Sequence, residues 1–177
     1  MTNMNQVKIE KVTLNIGVGQ AGESLEKAKN LLEQITKRKA ILTKSRNRNP
    51  TWKLRKGDNI GCKVTLRGKE AEEIVKKSLE ARDLIVLKKS FDKTGNVSFG
   101  VPEYIDFPGM KYDPEIGMMG FDVSVTLKKP GLRISKRRIA PKRIPKKQQV
   151  GPQEAMAFMQ EKFQANVEEE ASQGYQY

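Results

Sequence analysis

The sequence predicts an α+β fold in which helices cover one face of an antiparallel β-sheet and leave its other face open. Three segments, 11–16, 60–67 and 120–128, alternate apolar with polar residues, which is the pattern of strands with one buried and one solvated face. Antiparallel sheets tolerate a solvated face, whereas all-parallel sheets rarely do. Two further segments, 23–35 and 70–82, have apolar residues at helical spacing, so each presents an apolar stripe to the sheet.

The first two strands are each followed by a helix. Strand 11–16 directs Val12, Leu14 and Ile16 to one face and Lys11, Thr13 and Asn15 to the other. The stripe of helix 23–35 consists of Leu25, Ala28, Leu31, Leu32 and Ile35. Strand 60–67 opposes Cys62, Val64 and Leu66 to Lys63, Thr65 and Arg67. The stripe of helix 70–82 consists of Ala71, Ile74, Val75 and Leu79.

The second half of the chain adds strands, a long loop and a last helix. Segments 84–90 and 95–101 have strand composition, and Asp92-Lys93-Thr94-Gly95 between them predicts a turn. Strand 120–128 has an apolar face of Phe121, Val123, Val125 and Leu127. Segment 108–120 is a loop whose methionines either fill the core or contact another protein. We expect a final helix to begin near Pro152 and to pack Met156, Met159 and Phe163.

The length of 177 residues fits one domain with a substantial core. We therefore expect a single domain over 1–177, with a basic segment at 128–147 and an acidic helix and tail at 152–177. The opening residues have no apolar signal-peptide core, and no apolar run approaches about 18 residues. We expect neither export nor contact with a membrane interior.

Positive charge is concentrated in two stretches. The formal net charge is +13, and 37–56 and 128–147 together contain 19 of the 34 Lys and Arg and no acid. A charge of this sign favours a polyanion, either nucleic acid or an acidic membrane surface. A merely solvated surface would have acids interspersed, so the two stretches predict contact with a polyanion.

The residues that are missing exclude several kinds of chemistry. Without histidine there is no His general base and no His-ligated metal site. The single Cys62 cannot form an internal disulfide, and we expect it to be a packed apolar side chain. An RNA-processing enzyme would need clustered carboxylates for Mg²⁺, but the candidates are scattered: Asp92, Glu103, Asp106, Asp113, Glu115 and Asp122. We predict no catalytic residue, metal or cofactor. The other alternative to a specific RNA-binding protein is a protein that coats nucleic acid in general and binds duplex DNA as well as RNA.

One glycine motif matches the sequence pattern of a dinucleotide-binding site. Residues 17–22 satisfy G-x-G-x-x-G between a strand and a helix, as in dinucleotide-binding folds. The acid expected about 20 residues later is absent, since none occurs between Glu33 and Asp58. The glycines therefore predict a tight turn from strand to helix.

Four motifs, KVTLNIGVGQAG, TKSRNRNPTWKLRKGDNIGCKVTLRG, SFDKTGNVSFGVPEYIDFP and GFDVSVTL, occur in this order. The chain resembles the large-subunit ribosomal protein family that binds 5S rRNA, from about Lys8 to Leu127. Its basic PGLRISKRR segment and short acidic helix are similar to archaeal members. Bacterial members usually have Gln in place of Arg38 and Phe in place of Trp52.

The resemblance implies a curved antiparallel sheet and a place in the central protuberance of the cytoplasmic ribosome's large subunit. The partners it implies are 5S rRNA, the long large-subunit rRNA, P-site tRNA, neighbouring large-subunit proteins and, across an intersubunit bridge, a small-subunit head protein. We expect loop 108–120 to lie on the intersubunit side.

The predicted contacts fall into three groups. The resemblance assigns 5S rRNA contacts to Asn15, Arg38, Trp52 and Thr65, and the outward face of strand 60–67 adds Lys63 and Arg67. It assigns P-site tRNA to the loop 44–58, which contains Lys44, Arg46, Asn47, Arg48 and Asn49. The basic segment adds rRNA contacts at Arg133, Lys136, Arg137 and Arg138. Trp52 either stacks on a base or anchors its own loop.

Overall fold

The structure, a computed structural model, describes residues 4–169. Within them the strands are β1 (Lys8–Gly17), β2 (Ile41–Lys44), β3 (Asn59–Leu66), β4 (Ile85–Leu87), β5 (Val97–Val101), β6 (Phe121–Lys128) and β7 (Asn166–Glu168). The α-helices are α1 (Glu23–Thr36), α2 (Lys69–Glu80), α3 (Arg133–Lys136) and α4 (Pro152–Phe163). The end of the predicted acidic tail, from residue 170 onward, lies outside the described residues.

Five strands form one sheet in the order β2-β3-β1-β6-β5. Every neighbouring pair in it is antiparallel. Helices α1 and α2 contact β3, β1 and β6, and their apolar stripes are buried in the same core as the sheet's apolar face. The predicted α+β class is therefore confirmed.

The alternation of the three long strands predicts their orientation correctly. Val12, Leu14 and Val64 are at most 3% exposed, whereas Lys63 and Thr65 are exposed. Cys62 is fully buried, and burial raises the pKa of its thiol to about 11. This places Cys62 in the core as an unreactive packed side chain.

Close backbone packing explains one glycine in the central strands. A Cβ at Gly61 would lie 2.7 Å from the Ile16 carbonyl oxygen and 2.9 Å from Thr43 Oγ1. Gly61 pairs with Gly17 of β1 and with Thr43 of β2. A larger residue would push these strands apart.

Two strands are not predicted by the sequence patterns. The first is β2, which lies inside the basic stretch 37–56 and exposes Ile41 and Leu42. It has no apolar alternation that would predict a strand. Backbone pairing with β3 holds it at the edge of the sheet. The second is β7, which pairs in parallel with β4 as a separate two-stranded sheet.

The second half of the chain largely follows the predictions. Helix α4 begins at Pro152 and buries Met159 fully, while Met156 and Phe163 are half-buried. Only residues 85–87 of the predicted strand 84–90 form a strand, since Leu84 has a positive φ and residues 88–90 form a 3₁₀ turn. In loop 108–120, Met110 and Met119 pack against the core and Met118 is 55% exposed.

The two faces of β3 should respond differently to truncation. We expect Val64→Ala to lower the free energy of unfolding by about 2 kcal/mol, because it removes buried methyl groups and leaves a cavity. We expect Thr65→Ala, on the outward face, to change it by less than about 0.5 kcal/mol. Urea unfolding of both variants measures the difference, and equal effects would contradict the assignment of the faces.

Candidate nucleic-acid interface

A line of hydroxyl groups crosses the open face of the sheet. Thr65 of β3 pairs with Thr13 of β1, Thr13 pairs with Ser124 of β6, and Ser124 pairs with Ser98 of β5. Directly paired residues of antiparallel strands share a face, so these four side chains form one row, which we call the hydroxyl row. Hydroxyls both donate and accept hydrogen bonds, which suits a sugar-phosphate backbone and its 2′-hydroxyls.

A second row beside it changes in charge from one edge of the sheet to the other. Lys63 of β3 pairs with Asn15 of β1, which pairs with Asp122 of β6. On its other side Lys63 pairs with Ile41 of the edge strand β2. The β2–β3 side is therefore the cationic side of the face, and it leads directly into the basic stretch 37–56.

Arg38 already has a carboxylate partner on the helical side. Its Nη2 and Nε donate to the two oxygens of Glu70, at 2.5 and 3.2 Å. The hydrogen bond from Arg38 lowers the pKa of Glu70, and the same bond raises the pKa of Arg38. Both side chains are at least half exposed, so solvent screens the pair and makes it weak. A phosphate can therefore replace Glu70 at small cost.

The predicted loop 44–58 is a hydrogen-bonded hairpin tip rather than an irregular loop. Ser45 N donates to Asp58 O at 2.8 Å, and Asn49 and Leu54 exchange backbone hydrogen bonds of 3.0 and 2.9 Å. Arg46 and Arg48 are exposed on this tip.

The same tip presents its aromatic residue to solvent. Trp52 is 72% exposed, so it does not anchor the tip to the core. Of the two roles considered for Trp52, its exposure favours stacking on a base.

The basic segment 128–147 follows β6 and passes through the short helix α3. Arg133, Arg137 and Arg138 are exposed. Lys129 is buried and is paired with Glu154 of α4 at 2.7 Å. Lys136 is 61% exposed, and its Nζ donates a hydrogen bond to Glu10 Oε1 of β1.

Glu10 is the buried acid of this surface. Its side chain is 8% exposed and lies 4.0 Å from Arg67 Nη1 as well as against Lys136. Burial alone would raise the pKa of the carboxyl, but the hydrogen bond from Lys136 and the charges of Lys136, Lys128 and Lys11 outweigh it. The pKa of Glu10 therefore lies below its ordinary value, and the carboxylate is ionised at neutral pH.

The structure unites some predicted residues and separates others. Asn15, Lys63 and Thr65 share the open face, whereas Arg38 pairs on the helical side with Glu70. Lys44 ends β2, and Asn47 and the half-buried Asn49 lie in the hairpin tip with the two arginines. Arg67 and Lys136 meet at Glu10. Sequence reasoning missed Ser124 and Ser98, although strand alternation already placed Ser124 outward, and it missed Glu10, for which no local pattern exists.

The glycine motif is used internally. The backbone amides of Val18 and Gly19 both donate to the Ile60 carbonyl, at 3.0 and 2.9 Å. These amides tie the turn after β1 to β3, so they do not point at a phosphate. This geometry disfavours a dinucleotide site, in agreement with the missing acid.

Metal clusters and membrane-spanning helices are both absent from residues 4–169. These residues include no group of three or more Asp, Glu or Cys side chains that could hold a metal ion. None of their helices has the length and apolar character needed to cross a membrane.

Comparison with known proteins identifies the family. The model for "Ribosomal protein L5" matches residues 2–55, and the model for the C-terminus of the same ribosomal protein family matches residues 59–161. The chain is 46% identical to the large ribosomal subunit protein uL5 of Methanosphaera stadtmanae over 168 residues, which are 95% of this chain and 100% of that protein.

Two further relatives have the same name. The uL5 protein of Methanoregula boonei is 45% identical over 93% of this chain and 99% of its own length. That of Sulfurisphaera tokodaii is 46% identical over 94% of both chains. These relatives are structural proteins of the ribosome rather than enzymes, so this chain is a structural constituent of the large subunit of the cytoplasmic ribosome. It belongs to the ribosomal protein L5 (uL5) family, which confirms the resemblance seen in the sequence.

Proposed function

We propose that this chain binds 5S rRNA through the open face of its sheet and attaches it to the large subunit in the central protuberance. The observation that supports this most directly is the hydroxyl row, with Lys63 beside it and the basic stretches 37–56 and 128–147 in the same chain. Lysines and arginines supply affinity for phosphate, and hydroxyls suit the sugar edge of RNA.

The three groups of contacts have separate roles in this proposal. Asn15, Lys63, Thr65 and Arg67 bind 5S rRNA at the open face, and Arg38 and Trp52 extend this contact beyond the face. Arg133, Lys136, Arg137 and Arg138 bind rRNA from the basic segment. The hairpin tip with Arg46 and Arg48 contacts P-site tRNA, since its exposed guanidinium groups lie beyond the sheet.

Protein contacts complete the proposal. Loop 108–120 exposes Met118 and Tyr112, and flexible methionine side chains suit an adaptable protein surface. We assign this loop to the intersubunit bridge with a small-subunit head protein. Neighbouring large-subunit proteins are the remaining partners.

The open face can be tested by reversing one charge. We expect Lys63→Glu to weaken 5S rRNA binding about tenfold, because it removes one charged hydrogen bond and adds repulsion from phosphate. Thr65→Ala should weaken binding less, since it removes only a neutral hydrogen bond. Both variants should melt near the wild-type temperature, because the two side chains are exposed. Filter binding and thermal melting measure these two properties.

Lys77→Glu is the matched control, since Lys77 is exposed on the helical side and the change in charge is the same. If Lys77→Glu weakens binding as much as Lys63→Glu, the effect comes from net charge alone and the open face is not the binding surface. Competition by duplex DNA tests the coating-protein alternative, which requires DNA to compete as well as 5S rRNA does.

A further inference from the structure

Residues 131–147 of the basic segment have little apolar packing to hold them in place. Between residues 131 and 147 no side chain is buried, and only Leu132 and Ile144 are half-buried. Six cationic side chains lie on α3 or in the residues that follow it: Arg133, Lys136, Arg137, Arg138, Lys142 and Arg143. Like charges at this density repel one another, so something other than the hydrophobic effect has to hold the segment against the sheet.

Within the described residues 4–169, one ion pair connects residues 131–147 to the sheet, and it joins Lys136 to Glu10. The acid is 8% exposed while the lysine is 61% exposed. A buried carboxylate loses its hydration and is costly unless it is paired. Breaking the pair would therefore cost more free energy at the buried Glu10 than at the exposed Lys136. The pair thus favours one position of the segment.

Glu10 lies at an irregularity of strand β1. Ile9 pairs with Leu127 and Lys11 with Thr126 of β6, so Glu10 is the extra residue of a β-bulge. In a regular strand Glu10 would share the core face with Val12, two residues further on. Glu10 is buried in phase with Val12, and its carboxylate lies against Lys136 and 4.0 Å from Arg67 Nη1, just after the end of β3.

We propose that Glu10 is a positioning residue for RNA binding, whose buried carboxylate holds Lys136 and so keeps the basic segment at the end of the sheet where β1 begins and β6 ends. Arg133, Arg137 and Arg138 then meet RNA in a fixed arrangement relative to Lys63 and the hydroxyl row. This inference rests on the proposed RNA-binding function and adds to it a residue that does not itself touch RNA. Preorganisation of this kind lowers the entropic cost of binding.

The positioning role and simple charge counting predict opposite effects of Glu10→Gln on 5S rRNA binding. Glu10→Gln removes one of 21 acids and raises the formal net charge from +13 to +14, which by itself would tighten binding to a polyanion. If Glu10 positions the segment, the same variant should bind 5S rRNA more weakly, because ordering the released segment then opposes binding. The slope of log affinity against log salt should also fall by about 1 for each phosphate that the variant no longer neutralises.

Glu73→Gln is the matched control, since Glu73 is exposed on α2 and the change in charge is identical. We expect it to leave binding unchanged or slightly tighter. Binding of Glu10→Gln that equals or exceeds that of Glu73→Gln would overturn the positioning role while leaving the proposed function intact. Failure of the wild-type protein to bind 5S rRNA would instead overturn the proposed function.

Limited trypsin digestion of the full chain without RNA tests the ion pair independently. In Glu10→Gln, cleavage within 131–147 should become faster, while cleavage within 37–56 stays at the wild-type rate and provides an internal reference. Equal acceleration in both segments would show general destabilisation, and no acceleration would show that the pair holds nothing; either result would overturn the proposal. Glu10→Asp, which keeps the charge, should restore part of the protection.

A double-mutant cycle gives the last check. Lys136→Gln breaks the same pair from the other side, so it should also expose 131–147 to trypsin. In the Lys136→Gln background, Glu10→Gln should add little further exposure, because the bond is already broken. Full additivity of the two changes would contradict a direct coupling between Glu10 and Lys136.

Discussion

Affinity for 5S rRNA is expected to fall by about 10³–10⁵ between 50 and 200 mM salt if about six to ten phosphates are contacted, by analogy with duplex DNA. The physical reason is release of the counterions that RNA phosphates hold before the protein's Lys and Arg replace them. The two acid-free stretches and Lys63 supply enough cations for this number of phosphates. Filter binding across a series of salt concentrations measures the slope.

The salt series also separates specific contacts from total charge. Lys63→Glu should make the slope shallower by about 1, because the variant neutralises one phosphate fewer, whereas Lys77→Glu should leave it close to wild type. A flat salt response of the wild-type protein would exclude the electrostatic account of the interface. A steep response shared equally by duplex DNA would support the coating-protein alternative instead.

Replacement of Arg46 and Arg48 by Ala should speed the dissociation of P-site tRNA from ribosomes while sparing 5S rRNA binding. Removal of two charged hydrogen bonds costs at least about 3 kcal/mol, or roughly a hundredfold or more in dissociation. Both arginines lie on the hairpin tip 44–58, whose own hydrogen bonds hold it together. A contact with every tRNA has to use the phosphate backbone rather than the bases, which suits these guanidinium groups.

The measurement is tRNA release from purified ribosomes that contain the double variant. Lys76 and Lys77, replaced together by Ala, are the control, since this change removes two exposed cations from α2. Failed 5S rRNA binding with normal tRNA release would assign the tip to 5S rRNA. Equal tRNA release from the double variant and the control would exclude a specific tRNA contact by the tip.

The sequence by itself determined the local elements of this protein. Strict alternation predicts β1, β3 and β6 together with the direction of each side chain, because a strand with one wet face has a period of two residues. Helical spacing predicts α1 and α2 in the same way. The two acid-free stretches already predict a polyanionic partner, since the charge of a segment depends only on its own residues.

Only the tertiary structure decided which residues meet. Strand β2 lacks the alternation that predicts a strand, and it is backbone pairing with β3 that holds it at the edge of the sheet. The hydroxyl row depends on register across four strands, and a shift of one residue would turn Ser124 to the other face. Arg38 pairs with Glu70 over 32 positions and Glu10 with Lys136 over 126. Local periodicity contains no information about such distant partners, because the chain brings them together only when the core has formed.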